Sequence, residues 1–245
     1  MSRSIRDLLP DVRVNTAGVP EFLALYSLTR SLGEFLDRSE AWREWLPVLP
    51  TAQFLTGTAR WPNHLDDDTK RWARIKRIDK MEWHPTGDPV VFKTVSQLQD
   101  ADPLWRTRTG TKVRLWTHEG EFAAPDDSHV SEYQVRVYPM PEAGIDVTYG
   151  IRPRVVVMTD AVADFELDGF DGQIPVIPDR IFYGFRNAIV AGALATLFVM
   201  PRKDWSDQKL SALYGSQFEA AIVRAKSRAD ADYGNPTYST GYGGI

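Results

Sequence analysis

Carboxylates spaced two residues apart occur at Asp164, Glu166 and Asp168, and Gly169 follows them directly. This order imitates the opening of a calcium-binding loop of the helix–loop–helix class, in which alternate oxygens bind the ion. The bidentate carboxylate of such a loop belongs at its twelfth position, which falls on Pro175 here. Because proline has no side-chain oxygen, the stretch predicts an acidic loop and no calcium site.

The histidines show no spacing typical of metal ligands. His64 is followed by the aspartates of 66–68, which could in principle hold a metal, but the run is hydrophilic and is typical of a loop. No His-x-x-x-His pair occurs among the four histidines, which stand at positions 64, 84, 118 and 129. We therefore expect neither a metal nor a cofactor in this chain.

Patterns for covalent catalysis and phosphate binding are also missing. The chain has no cysteine and no Gly-x-Ser-x-Gly sequence. Gly57 and Gly110 lack the glycine-rich spacing and the following helix that a phosphate-binding loop needs. Acidic residues are plentiful in 118–177, but without a defined spacing they do not indicate acid–base catalysis. We expect no catalytic residue and no enzyme activity.

Five of the eight tryptophans lie in the middle of the chain, at positions 61, 72, 83, 105 and 116. Exposed rings could stack on sugars, so a carbohydrate-binding module or a glycan hydrolase remains an alternative function. Packing in a core is the plainer interpretation, because Trp72 and Trp83 lie within alternating apolar positions.

The elements that would position these side chains are clearest near the end of the chain. Two helices are predicted within 178–232, the first over 179–199 and the second over 205–230, with Pro201 between them and Asp204 as the N-cap of the second. A row of small residues four apart in the first helix predicts the close approach of another helix. The residues predicted to pack these helices are Gly184, Ala188, Gly192, Trp205, Tyr214 and Phe218.

A third long helix is predicted near the start of the chain, from Pro20 to about Trp45. Its apolar stripe includes Phe22 and Phe35, and Trp42 and Trp45 continue it. A shorter helical turn is predicted before it, over 5–9. An isolated helix of this kind is unstable in water, so its stripe requires partners from the other end of the chain.

Between these helical ends, the pattern changes to short strands separated by turns. A hairpin is predicted around the loop 139–144, and a short helix is predicted over 94–100. The predicted strands cover 52–57, 72–83, 112–117, 132–138, 145–151 and 155–158.

The sequence therefore predicts an α+β protein with an insertion. A helical bundle forms from 1–50 and 178–232, an antiparallel β domain is inserted over 51–177, and an extended C-terminal tail covers 233–245. The tail spaces tyrosines among glycine, serine and threonine, a composition suited to lying across another protein subunit. Its predicted contact residues for a portal or subunit interface are Tyr233, Pro236, Tyr238, Tyr242 and Ile245.

The net charge of −4 conceals a strong asymmetry along the chain. Residues 51–117 carry +4, whereas 118–177 carry −9. The acidic region indicates either a solvated face or a surface that repels nucleic acid, and no one-sided basic stripe typical of DNA binding is present. The apolar stretch 181–200 contains Arg186 and Asn187, so we expect no membrane span.

Two parts of the chain resemble the head-to-tail adaptor proteins of tailed bacteriophages, in particular the tail tubular protein A type. The first is the opening, with Asp7-Leu-Leu-Pro-Asp-Val12, the segment 19–24 and the segment 35–42. The second comprises Ile177-Pro-Asp179, the segment 191–195, Met200-Pro201, Trp205, Tyr214, the segment 218–222 and Ala225-Lys226. Together they cover about 100 residues, and the central region carries no matching motif.

This resemblance implies a structural virion protein, assembled in the host cytoplasm. Proteins of this family form a ring, typically of twelve copies, between the portal protein and the tail nozzle or tube protein. DNA passes through such a ring without specific binding. A stopper or a tail-tube component of the same particle is the nearest alternative.

Overall fold

Helices and strands both form in this chain, so the predicted α+β class is confirmed. The chain divides into two compact units. The first, called the helical unit, comprises residues 1–42 and 158–245, and the second, called the β unit, comprises 43–157. The computed structural model describes residues 2–62, 73–118, 132–146, 148–159 and 176–232.

The elements of the described residues are numbered in chain order. The helices are α1 (Leu9–Asn15), α2 (Glu21–Ser39), α3 (Val95–Ala101), α4 (Asp179–Phe198) and α5 (Gln208–Asp232). The strands are β1 (Ser2–Ser4), β2 (Arg43–Trp45), β3 (Leu49–Pro50), β4 (Thr58–Pro62), β5 (Ala73–His84), β6 (Asp88–Pro89), β7 (Val91–Phe92), β8 (Thr109–Gly110), β9 (Leu115–Thr117), β10 (Glu132–Tyr138), β11 (Met140–Pro141), β12 (Gly150–Thr159) and β13 (Val176–Pro178).

The start of the chain is more helical than predicted. A 3-10 turn over Ile5–Leu8 continues into α1, where a single turn over 5–9 was expected. Two ion pairs join this segment to the first turn of α2: Arg6 and Arg13 each donate to a different oxygen of Glu21, at 2.6 and 2.7 Å. Residues 2–4 form β1, which pairs antiparallel with β13 just before α4.

The first long helix ends earlier than predicted. α2 stops at Ser39 because Glu40 adopts a left-handed conformation, with a φ of 51°. A left-handed residue ends the helical hydrogen-bond pattern. The prediction that Trp45 continues the helical stripe is wrong, because Trp45 lies in β2 and pairs with β12. Phe22, also assigned to the stripe, lies in the first turn and is 48% exposed.

α4 is the central helix of the helical unit and spans Asp179–Phe198, close to the prediction. α2 and α5 both pack against it, and α1 also contacts it. Seven successive residues of α4, Ala188 to Leu194, are buried. This burial agrees with the uninterrupted apolar sequence of 188–194, whereas the first half of the helix carries Arg180, Arg186 and Asn187.

The second C-terminal helix begins at Gln208, three residues later than predicted. Asp204 is not its N-cap, since the Asp207 carboxylate accepts hydrogen bonds from the backbone N–H groups of Lys209 and Leu210, at 2.8 and 3.1 Å. The corner before it is closed by the Asp207 N–H, which donates to the carbonyl of Phe198 at 3.0 Å. The position of the N-cap of α5 therefore depends on the geometry of the corner. The spacing of apolar residues in the sequence placed it three residues too early.

The β unit contains three sheets within its described residues. One has the strand order β4–β10–β9–β7, and another has the order β2–β12–β5–β6, with β3 also paired to β12. The third is the pair β8–β11. The prediction of an antiparallel domain is corrected here, because β7 pairs parallel with β9 and β8 pairs parallel with β11.

The predicted hairpin around 139–144 does not form. β10 covers the predicted residues, but its two edges pair with β4 and β9, so no edge is left for the strand predicted over 145–151. β12 belongs to a different sheet. The strand predicted over 52–57 is also wrong, since Thr51–Gln53 form a 3-10 turn and the strand begins at Thr58.

The short helix predicted over 94–100 is present as α3. Its N-cap is Thr94, whose hydroxyl accepts from the N–H of Gln97 at 3.3 Å. The side chain of Gln97 in turn accepts from the N–H of Thr94 at 3.1 Å. This reciprocal pair is a capping box, which satisfies two backbone donors that a helix start otherwise leaves open.

Candidate functional site

The helical unit is joined at a contact of three helices around Gly192. A Cβ added to this glycine would lie 2.3 Å from the Ser31 hydroxyl of α2 and 2.8 Å from the Phe218 ring of α5. Ser31 donates to the carbonyl of Ile189 on α4 at 2.7 Å. The structure thus brings together two of the predicted packing residues, Gly192 and Phe218, at a point where no side chain fits.

Aromatic rings extend this junction. Phe35 of α2 lies 4.9 Å from the ring of Phe185 on α4 and 6.4 Å from the ring of Phe218 on α5, measured between centroids. Phe35 is fully buried. Because one ring touches both C-terminal helices, the first and last parts of the chain share a single apolar core.

The other predicted packing residues have different surroundings. Ala188 is buried, whereas a Cβ added to Gly184 would meet no atom within 4 Å. Tyr214 stacks on the ring of Phe198, with centroids 5.8 Å apart and an interplanar angle of 16°. Trp205 lies in the corner before α5, and its indole N–H is buried without a hydrogen-bond partner among the described residues. The small-residue row therefore contacts a helix at Gly192 but not at Gly184.

A groove of about 350 Å³ lies between the first half of α4 and the second half of α5. We call it the arginine groove. Three guanidinium groups and two aromatic rings line it, together with small residues from both helices. Its lining residues are Tyr183, Gly184, Phe185, Arg186, Asn187, Ala188, Ala221, Arg224, Ala225 and Arg228.

Two of the three guanidinium groups in the arginine groove have no acidic partner among the described residues. Arg186 is held by Asp11 of α1, at 2.6 and 2.7 Å, and this carboxylate raises the pKa of the guanidinium. Arg224 donates to the backbone carbonyl of Ala220 at 3.2 Å. Arg228 makes no hydrogen bond or ion pair with any residue that the structure describes. Two cationic groups one helical turn apart thus lack an acidic partner within the described chain.

A second, wider groove of about 610 Å³ runs between α1, α4 and α5. Its floor is apolar and consists of Val190, Ala191 and Leu194 of α4. Its rim is polar and includes Asn15, whose side-chain oxygen accepts from the Tyr214 hydroxyl at 3.4 Å. An apolar floor with a polar rim is the general pattern of sites that bind a peptide or another subunit.

The helical unit also exposes large apolar side chains that no described residue covers. They are distributed over its helices and the corner before α5. The members, with their exposed fractions, are Val14 (85%), Phe22 (48%), Tyr183 (61%), Val199 (61%), Leu210 (37%), Leu213 (50%) and Val223 (63%). A contiguous group of such side chains indicates a surface that another protein covers, whereas single ones are ordinary on a protein surface.

The β unit carries a charged cluster that the motif search did not reveal. Asp79 of β5 accepts from Arg154 of β12 at 2.8 Å and lies 3.5 Å from Arg43 of β2. Arg77 approaches the same carboxylate at 3.7 Å. The Arg43 and Arg154 side chains are nearly fully buried. The cluster ties three adjacent strands together, and the one sequence signal for it is an aspartate inside a strand rich in basic residues.

Four of the five tryptophans in the middle of the chain are buried. Trp61, Trp83, Trp105 and Trp116 are all at most 5% exposed, and Trp72 lies outside the described residues. Their ring faces are therefore covered by other side chains and cannot stack on a sugar. These four rings therefore give the carbohydrate-binding alternative no support, and its remaining tryptophan, Trp72, lies outside the described residues.

Ionisable groups with shifted pKa values serve structural contacts. Hydrogen bonds from Arg38 lower the pKa of Glu219, and those from Arg6 and Arg13 lower that of Glu21. Burial lowers the pKa of His118, which packs against the Trp116 ring at 5.2 Å between centroids. Within the described stretches, no three His, Asp or Glu residues are grouped so that they could hold a metal ion.

Several predicted residues lie outside the described part of the chain. These include His64 and the aspartates of 66–68, the acidic run 164–169, and the complete set of tail contacts, Tyr233, Pro236, Tyr238, Tyr242 and Ile245. Among the described helices, α4 alone has the length and composition of a membrane span, with a mean hydropathy of 1.4, and 61% of that window is buried inside the protein. Core helices of globular proteins have the same character.

Comparison with protein-family models finds no match, and a search of curated proteins finds no significant match either. The resemblance to phage adaptors consequently depends on the residue patterns of the two chain ends and on the physical character of the helical unit.

Proposed function

We propose that this chain is a structural virion protein, a head-to-tail adaptor of the tail tubular protein A type. Copies of it form a ring between the portal protein and the tail nozzle or tube protein, and DNA passes through the ring. Twelve copies are the number that the family resemblance implies. The helical unit is the part by which neighbouring copies contact each other.

The exposed apolar side chains of the helical unit are the observation that carries this proposal. The side chains of Val14, Val223 and Tyr183 are each more than half exposed. Full burial of one such side chain stabilises a contact by about 1.5 to 3 kcal/mol. In a ring, the same contact between neighbouring subunits is repeated around the circumference.

The location of the resembling residues also supports the proposal. The opening segments 7–12 and 35–42 and the later segments 191–195 and 218–222 belong to one compact unit. Within it, Phe35 touches both C-terminal helices. Residues far apart in the chain therefore contribute to one folded unit, as expected when helices from both ends bury their apolar faces in a shared core.

Native mass spectrometry and negative-stain electron microscopy of the purified full-length chain test this function. We expect a closed ring with one defined copy number, in equilibrium with monomer at low concentration. Open filaments would favour a tail-tube component instead, because a heterologous contact that does not close produces a helix. A monomer at every concentration examined, including in the presence of portal protein, would refute the adaptor function.

Deleting 233–245 provides a second test, directed at the tail. The deletion leaves α5 intact, since this helix ends at Asp232. We expect the shortened chain to fold with unchanged helicity but to bind its neighbours or the portal more weakly, because the tyrosine anchors are lost. Undiminished binding by the shortened chain would eliminate the tail as an interface.

A further inference from the structure

The arginine groove has the features of a binding site for an anionic polypeptide segment. Arg224 and Arg228 lie one turn apart on α5 and have no acidic partner among the described residues, while Arg186 stands on α4 already paired with Asp11. The groove therefore offers two cationic groups whose charge is not yet neutralised. Guanidinium groups bind carboxylates through paired, directional hydrogen bonds.

The shape of the groove favours a peptide over a nucleic-acid backbone. Its lining contains Gly184, Ala188, Ala221 and Ala225, so the two helices leave a recess with small apolar walls between the charged groups. The Tyr183 ring at its edge is 61% exposed. A recess of about 350 Å³ with apolar walls accommodates side chains that alternate between acidic and apolar.

One stretch of this chain has that alternating composition. Residues 160–175 contain five carboxylates and no lysine or arginine, and Val162, Phe165, Leu167 and Phe170 stand between the acidic residues. This stretch lies outside the described residues. Its charge is opposite to that of the arginine groove, and its phenylalanines are complementary to the small apolar walls.

We propose that the arginine groove of one copy binds residues 160–175 of a second copy. This inference rests on the proposed function, because a ring places copies side by side and repeats one heterologous contact around its circumference. The contact joins two different surfaces, so it forms a chain of subunits rather than a closed pair. Complementary charge also determines which face of a subunit meets the next.

A charge exchange between two variants tests the contact directly. Variant one carries Arg224→Glu and Arg228→Glu, and variant two carries Asp164→Lys, Glu166→Lys and Asp168→Lys. We expect each variant alone to assemble at least about tenfold more weakly than the native chain, because like charges then face each other. We expect an equimolar mixture to recover assembly, since each reversed groove then meets a reversed acidic stretch.

Matched controls separate this contact from a general effect of charge. Lys209→Glu with Lys226→Glu changes the charge of α5 by the same amount outside the groove lining, so its assembly should match the native chain. Glu119→Lys with Glu121→Lys and Asp126→Lys changes a different acidic region equally. That chain keeps the native groove and the native stretch 160–175, so alone it should assemble as the native chain does, and its reversed region should not bind the groove of variant one. Circular dichroism of each chain establishes that it is folded.

The outcomes distinguish failure of the inference from failure of the function. Native assembly that both reversals leave unchanged overturns the inference and leaves the adaptor function standing. Weak assembly of both variants without recovery in the mixture also overturns it, because the stretch then binds its own groove or another surface. Duplex DNA that binds the native chain but not variant one would reassign the groove to phosphates. A native chain that never assembles refutes both.

Discussion

The carboxylate of Asp79 organises the charged interior of the β unit at the scale of single residues. Two arginines whose side chains are at most 8% exposed, Arg43 and Arg154, converge on it from neighbouring strands. Buried ions are stable only when paired, and removing one partner leaves the others uncompensated. The cluster is therefore sensitive to loss of the acid.

We predict that Asp79→Asn destabilises the protein by about 3 to 5 kcal/mol, because it preserves the size of the side chain but leaves nearly buried guanidinium groups without this partner. Urea unfolding followed by tryptophan fluorescence measures the change. Asp88→Asn is the matched control, since Asp88 pairs with Lys112 at an exposed position and should matter far less. Equal losses of unfolding free energy in the two variants would contradict the claim that burial makes the Asp79 contacts important.

A second residue-scale prediction concerns acid. Arg38 of α2 donates to both oxygens of Glu219 on α5, at 2.6 and 2.5 Å, and this lowers the pKa of Glu219 below its ordinary value of 4.5. A carboxyl group whose pKa is lower in the folded state stabilises that state above its unfolded pKa, and the contribution is lost as the pH falls through the folded pKa.

We therefore expect the native chain to be more stable than Glu219→Gln at neutral pH by about 0.5 to 1 kcal/mol, a small value because both side chains are more than a third exposed. The difference should shrink progressively below pH 4.5. Thermal unfolding at a series of pH values measures it. A difference that stays constant from neutral pH to about pH 2 would show that the ion pair is not its source.

At the scale of elements, the two glycines of α4 have different surroundings although they belong to the same row of small residues four apart. Gly192 lies against both α2 and α5, whereas Gly184 faces open space. The sequence pattern treats them alike, because a four-residue period places them on one face. Only the positions of the neighbouring helices distinguish them.

We predict opposite effects of alanine at these two positions. Gly192→Ala should destabilise the helical unit by about 1 to 3 kcal/mol, because the new methyl group would overlap the Ser31 hydroxyl and the buried Phe218 ring. Gly184→Ala should be neutral or stabilising by up to about 1 kcal/mol, since alanine favours a helix and nothing obstructs it. Chemical unfolding followed by far-ultraviolet circular dichroism compares them. Equal destabilisation would contradict the close packing described at Gly192.

At the scale of the whole molecule, folding and assembly use different side chains of the same helix. Phe218 and Ile222 of α5 are buried within the helical unit, while Leu213 and Val223 remain at least half exposed. The first pair is required for the fold. The second pair contributes little to the fold and is available to another subunit.

We predict that Leu213→Ser with Val223→Ser leaves the unfolding free energy of the monomer unchanged to within about 1 kcal/mol but weakens assembly, because these side chains stay largely in water when the monomer folds. Analytical ultracentrifugation over a concentration series measures the association. Ala220→Ser, an exposed change on the same helix, is the control and should assemble normally. Normal assembly by the double variant would exclude this face of α5 as a contact.

The elements that the sequence predicted well are those with local causes. The capping box at Thr94 and the period of α4 each act over a few residues, so α3 and α4 appear close to where they were expected. The α+β class follows from the same local patterns. The grooves of the helical unit were not predicted, because they are formed by residues from different helices.

Other features depended on which distant segments meet. The alternation of apolar and polar residues located β10 correctly, but its partners are β4 and β9. The next long strand, β12, belongs to a different sheet. The sequence by itself determined that α4 has an apolar face and a row of small residues four apart, because both follow from the period of a helix. Only the tertiary structure decided that Gly192 is covered, that Gly184 is open and that Arg224 and Arg228 line a groove beside α4, since these properties depend on distances between residues far apart in the chain.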